Sequence, residues 1–240
     1  MKRKFLFSFY ETPHGKLLQK LEREFLRRSI KVSCKQTILQ LGYLGWEDEF
    51  IDCALFQKYS ILDSKGKGCA DAVKIVAKSY RLPIQSETVD LVIVPHLLEF
   101  DPNRFQTMRE IERILKPEGE LIILNFNPLS IWIRLQFIWN IKMSDSWLGH
   151  FIIRRRTLDW LKLLNFEVKT TSELGLNSIV TSSGQFSLSK CTFFAMSYAV
   201  IAIKRQYCLI PLTPIKFNAS GLVTTASSLK SISQRTPKHD

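Results

Sequence analysis

Apolar and polar positions along this chain follow two different periods. Over residues 11–31, Leu17, Leu18, Leu21, Phe25 and Leu26 recur at helical spacing between charged side chains, which predicts an amphipathic helix. Ile38-Leu39-Gln40-Leu41 is a short, largely apolar run that stops at Gly42, and predicts a buried strand. The acidic stretch from Glu47 begins a brief helix. Tyr59 to Asp63 predicts a second strand, closed by a Gly- and Lys-rich turn over residues 64–68, and Val73 to Ala77 a third. Asp90-Leu91-Val92-Ile93-Val94 has the continuous apolar character of a central strand in a sheet covered on both faces.

Asp101 and Pro102 read as the N-cap and first turn of a helix with Phe105, Met108, Ile111, Ile114 and Leu115 on one face. Lys116-Pro117-Glu118-Gly119 ends that helix, and Glu120 to Asn125 forms the next strand. After Pro128 the chain is aromatic and apolar, then polar through His150. Arg156 to Leu164 is helical, Asn165 to Val168 leads into a strand, and Thr192 to Lys204 reads as an edge or late strand. From Gln206 the composition turns to Pro, Ser, Thr and Lys, and little order is expected beyond Asn218. Strands alternating with helices predict an α/β fold with a mostly parallel sheet, helices on both faces and an antiparallel addition at one edge. Such sheets bind ligands beyond the carboxyl ends of their strands, where the strand order reverses. The turn after Leu41 is the candidate.

Composition narrows the picture only a little. With 45% apolar and 23% charged residues, the 240-residue chain can bury a sizeable core. The five cysteines are scattered, without C-x-x-C spacing, which speaks against a zinc site or disulfide framework and for a reducing compartment. No segment reads as a membrane span: Leu121 to Ile141 is broken by Asn125, Asn127, Pro128, Arg134 and Asn140. Met1 to Phe9 is too short in its apolar part for a secretory signal, so the expected location is cytoplasmic. The net charge of +12 reads either as a general basic bias or as a face for polyanions such as nucleic acid.

Several stretches, taken in order, resemble the class I S-adenosylmethionine (SAM)-dependent methyltransferases, in the type-11 or UbiE-like bacterial group. Leu82-Pro83-Ile84 through Ser86 and Val89-Asp90-Leu91-Val92 is similar to that family's passage into its fourth strand. Arg109-Glu110-Ile111-Glu112-Arg113-Ile114-Leu115-Lys116-Pro117-Glu118-Gly119-Glu120-Leu121 is similar to its approach to the fifth. Asn127 to Trp132, Leu158 to Val168, and Thr12-Pro13-His14-Gly15 with Glu22 resemble a bacterial subgroup. The resemblance covers roughly residues 11–205. It implies a Rossmann-like fold with a mostly parallel seven-stranded sheet and an antiparallel last hairpin. The expected organisation is an N-terminal amphipathic helix region over 1–36, a methyltransferase-like domain over 37–205, and a basic tail over 206–240.

The resemblance also implies SAM as cofactor. The family's first motif, (D/E)-x-G-x-G-x-G, aligns with Gln40, Gly42, Leu44 and Trp46, so only Gly42 is kept and Gly45 comes one place early. Tyr43 lies within the same turn. Asp63 ends the second strand, where an acid holds the ribose hydroxyls, although an Asp before Ser64 also reads as a turn former. The adenine-side acid is replaced by Lys78, which cannot accept a hydrogen bond, leaving Ser79 to substitute. Pro95 and His96 follow the fourth strand and face the expected pocket, with His96 read as a base, a pocket wall or a structural histidine. Asn127, Trp132 and Arg134 are the candidate substrate residues; Trp132 and Trp139 also read as packing, and Arg154-Arg155-Arg156 as a phosphate site or a solvated helix start. No residue stands out as catalytic and none as a metal ligand. The first reading is methyl transfer to a small-molecule or lipid-like substrate. A non-catalytic scaffold of the same fold is the second, and an RNA methyltransferase the third.

Overall fold

The computed structural model describes residues 3–30, 36–51, 59–63, 72–139, 151–175 and 195–205. All five cysteines, the turn at 64–68, the polar stretch through His150 and the tail from residue 206 lie outside the described residues. Seven strands form one sheet: β1 (Ile38–Leu41), β2 (Tyr59–Leu62), β3 (Val73–Ile75), β4 (Val89–Pro95), β5 (Leu115–Phe126), β6 (Phe166–Gly175) and β7 (Ala195–Lys204). Their order is β3-β2-β1-β4-β5-β7-β6. The first five strands run parallel, and β7 pairs antiparallel with both β5 and β6. The strand order reverses between β1 and β4, so the carboxyl ends of these two strands flank a crevice.

Period-two alternation sends side chains to two cores. Ile38, Ile61, Leu91, Ile93, Ile122 and Leu124 face one cluster, which is closed by α1 (Lys4–Glu11) and α2 (Pro13–Ser29). Leu39, Leu41, Val92, Val94, Leu121 and Ile123 face the other, closed by α3 (Arg104–Ile114) and α5 (Arg154–Leu163). Each fully buried Leu or Ile in these layers contributes about 1.5–3 kcal/mol. A short helix, α4 (Ile131–Trp139), follows β5. No helix among the described residues is long and apolar enough to cross a membrane.

Four expectations need correction. The N-terminal region holds two helices, not one, because Thr12 adopts extended backbone angles between them. Its hydroxyl accepts from the Gly15 N–H at 3.0 Å and donates to the Phe9 carbonyl at 2.7 Å, and Pro13 starts α2. Gly15 permits the corner: a Cβ there would lie 1.8 Å from the Phe9 carbonyl oxygen. Next, α3 begins at Arg104 with Asn103 at its N-cap position, while Asp101 accepts from the Asn103 N–H at 2.8 Å just ahead of it. Third, extended structure begins at Leu115 rather than Glu120. Pro117 and the left-handed Glu118 (φ 61°) bend this segment, and the β4–β5 register shifts between Val89 and Leu91. Finally, of the two alternatives for the last strand, late holds and edge does not: β7 is last in the chain but inner in the sheet, and β6 forms the edge.

Candidate functional site

The crevice is built from the turn that leaves β1. Gly42 and Gly45 both take φ of 97°, a conformation that favours glycine. The Gly42 N–H donates to the Leu62 carbonyl at 2.8 Å, fixing the turn to the end of β2. The rest of the turn closes around Glu47, which is almost fully buried in a 3-10 turn at Glu47–Glu49. Its carboxylate accepts from the Leu44 N–H at 2.6 Å, the Gly45 N–H at 3.0 Å and the Gln40 amide at 2.9 Å. Gln40 also donates to the Gly42 carbonyl at 2.9 Å and accepts from the Tyr59 hydroxyl at 2.6 Å. The turn therefore has its acid, supplied seven residues after Gln40. Leu44 and Trp46 put their bulk into the apolar cluster beneath α1 and α2; Trp46 meets Tyr10 edge-on at 6.1 Å.

A cation sits in the crevice. Arg3 is 6% exposed. It donates to the Tyr43 carbonyl at 2.9 Å and to the Pro95 carbonyl at 2.6 Å, the two main-chain acceptors at the ends of β1 and β4. A Cβ on Gly42 would lie 2.5 Å from one guanidinium nitrogen. Burial lowers the Arg3 guanidinium from its usual range, and the charges of Asp63, Glu99 and Glu47 oppose that shift.

Next to it lies a buried acid–base group. His96 adopts φ of 45° at the end of β4, held by its N–H donating to the Leu124 carbonyl at 2.8 Å. Its Nε2 is 2.8 Å from Glu22 of α2, and its Nδ1 is 3.5 Å from Glu99. Tyr10 donates its hydroxyl to the other Glu22 oxygen at 2.7 Å, and Glu99 accepts from the Phe126 N–H. Burial pulls the imidazole down, but hydrogen bonding and charge from Glu22 and Glu99 win, and its pKa is raised to about 9. This favours the imidazolium at neutral pH, with Nε2 hydrogen-bonded to Glu22, Nδ1 facing Glu99 at 3.5 Å and its ring 4.1 Å from that of Phe126. Burial and Glu22 push the Tyr10 phenol well above its ordinary value, so it remains a donor.

The predicted residues divide clearly. Gly42, Tyr43, Pro95 and His96 surround the crevice. Gln40 and Gly45 shape its wall through Glu47. Asp63 stands half-buried at the end of β2, with its N–H donating to Ile75 at 3.1 Å, and its charge is felt at Arg3. Ser79 instead donates to Asp101 at 2.7 Å, joining the start of α3. Asn127 is committed to structure: its amide donates to the Ala195 carbonyl at 3.0 Å and its oxygen accepts from the Leu129 N–H at 3.1 Å. Trp132 stacks on His14 at 4.2 Å, tying α4 to α2. Arg134 is exposed and donates to the Pro128 carbonyl at 2.9 Å. The side chain of Trp139 lies outside the described residues. Arg3, Tyr10, Glu47 and Glu99 were not foreseen, and Glu22 only as part of a motif. A signal for Glu22 exists, because it replaces an apolar residue on the face of Leu18, Phe25 and Leu26.

Comparison with known proteins meets this geometry at the same segment. Residues 39–123 match the family model of a methyltransferase domain. The chain has the Rossmann-like fold of the class I methyltransferases. It is 27% identical over 204 residues to the uncharacterized protein YafS of Escherichia coli K12, covering 85% of this chain and 81% of that protein. A segment of 57 residues is 37% identical to the sterol 4-C-methyltransferase strm-1 of Caenorhabditis elegans, spanning 23% of this chain and 17% of that protein. In three dimensions it is similar to a SAM-dependent methyltransferase of Archaeoglobus fulgidus, with a TM-score of 0.58 and 18% identity over 85% of this chain and all of that one. It is also similar to a structure from Haloferax volcanii of a methyltransferase activator, Trm112, in complex with a methyltransferase, with a TM-score of 0.59 and 13% identity over 86% of this chain and all of that one.

Proposed function

We propose that this protein is a SAM-dependent methyltransferase acting on a small-molecule or lipid-like substrate. The observation that carries the reading is the crevice between β1 and β4, where two main-chain carbonyls and buried carboxylates converge on a cation. SAM is itself cationic at its sulfonium and ammonium groups. The donor set fits it: Tyr43 and Pro95 offer carbonyls, Gly42 leaves the space of a missing Cβ, and Asp63 offers a carboxylate at the end of β2 for the ribose hydroxyls. SAM, when bound, supplies a methyl group on a good leaving group for in-line displacement. The protein's part is to hold both reactants in line and exclude water.

His96 has a limited role in this scheme. As an imidazolium already bound to Glu22, it orients the end of β4 and balances charge rather than taking a proton at neutral pH. An apolar substrate is proposed from the aromatic, apolar segment after Pro128; Phe5, Phe9 and Phe126 pack on one another in the core, their rings 5.4 to 6.1 Å apart in edge and stacked contacts. A cytoplasmic location is part of the same proposal. One observation favours the second reading, a non-catalytic relative: Arg3 already holds both carbonyls. Calorimetric titration with S-adenosylhomocysteine separates the two. Micromolar binding that is lost in Asp63→Ala supports the enzyme; a folded protein that gives no heat favours the scaffold.

A further inference from the structure

The Arg3 contacts bear on how the site is controlled, and this inference rests on the SAM reading. A guanidinium that is 6% exposed has left water, which is costly unless its hydrogen bonds are replaced. Here they are replaced in part. Two of its nitrogens reach carbonyls, whereas the Nε–H has no hydrogen-bond partner among the described residues. The crevice itself favours positive charge. Among the fully buried side chains there, Glu22, Glu47 and Glu99 are acidic and His96 and Arg3 basic, so acids outnumber bases by one, and by two without Arg3; half-buried Asp63 adds a further acid. A cationic ligand would therefore compete for a place that Arg3 fills incompletely.

The segment that delivers Arg3 is placed for such competition. Arg3 immediately precedes α1, whose Leu6 and Phe9 pack into the cluster over β4 and β5. Phe9 meets Phe126 edge-on at 5.4 Å, and Tyr10 is bonded to Glu22 and through it to His96. Thus α1 covers the carboxyl ends of the strands and puts a cation on their carbonyls at the same time. Thr12 and Gly15 form the corner on which it turns away from α2.

We propose that Arg3 is an intramolecular competitor of the cofactor: with α1 docked, its guanidinium occupies the carbonyls of Tyr43 and Pro95, and SAM binds after Arg3 withdraws. The protein then exists in a closed state and an open one, and apparent cofactor affinity is reduced by the fraction that is closed. Arg3 is a gate and not a catalytic residue, since it meets main-chain acceptors that the cofactor needs.

The test is calorimetry with S-adenosylhomocysteine on the full chain as wild type, Arg3→Ala and Arg3→Met, with hydrogen exchange of the α1 amides as a second readout. Arg3→Met retains apolar packing without the charge and guards against misfolding of the alanine variant. The expected result is binding at least tenfold tighter in both variants, and faster exchange in α1 when the wild type is saturated. Equal affinity in all three proteins overturns the gate and leaves the methyltransferase reading standing. Weaker binding in the variants also overturns it, and makes Arg3 an anchor for the cofactor's carboxylate. No binding by any of them removes the SAM reading, and the gate with it.

Discussion

Raising the pH from 6 to 9.5 should weaken this fold through a single imidazole. The ordinary imidazole pKa is 6.5, and in the fold Glu22 and Glu99 raise that of His96 to about 9. A group whose folded pKa is raised contributes stability that is fully present below its unfolded pKa and is lost as pH rises through the folded value. The window is therefore from about 6.5 to about 9. The rise from 6.5 to about 9 corresponds to ~3 kcal/mol of stability lost across that window. His96 is fully buried and both its partners are carboxylates, so solvent does little to screen the effect. Urea unfolding at pH 6, 7.5 and 9.5 measures it, with His96→Gln as the reference that lacks the imidazole. The wild type should lose ~3 kcal/mol more than the variant between the extremes. Proton NMR of the imidazole gives the pKa directly. Parallel pH slopes for wild type and variant, or an imidazole that titrates below 6.5, would refute the reasoning.

Two further perturbations probe the elements that shape the site. Gly15→Ala puts a Cβ against backbone at the α1–α2 corner; it should cost at least ~2 kcal/mol and release α1, seen as earlier proteolysis near Thr12. Glu47→Gln replaces the carboxylate that accepts from Leu44, Gly45 and Gln40; a loss of ~3 kcal/mol is expected in urea unfolding, and a change under 0.5 kcal/mol would show that the turn stands without it.

The central strands were legible because they are apolar on both faces. Ile38 to Leu41 and Val89 to Pro95 are bounded by turn residues and flanked by helices with a clear stripe, such as Met108, Ile111 and Ile114. The segment Lys4–Glu11 was overlooked although its polar residues Lys4, Ser8 and Glu11 fall at helical spacing, because two turns are too short to stand out from a basic terminus. Packing of Leu6 and Phe9 against the sheet stabilises this short helix. The inner place of β7 was hidden for a related reason, since pairing order is decided by partners distant in sequence. At the site, the glycine turn was visible and the charges were not. Glu47 sits in an acidic trio that reads as surface, and Arg3 in a basic terminus that reads as solvated. Gln40 marks the departure in the motif, but only the fold brings Glu47 to the Leu44 and Gly45 amides.

The most direct test of methyl transfer is a labelling experiment. The purified protein would be incubated with SAM carrying a tritiated methyl group and a small-molecule and lipid extract, beside the Asp63→Ala variant. Label moving from SAM into an organic-soluble product, with the wild type and not with the variant, is the expected result. A wild type that binds S-adenosylhomocysteine yet transfers no more label than Asp63→Ala to any fraction of the extract would contradict it.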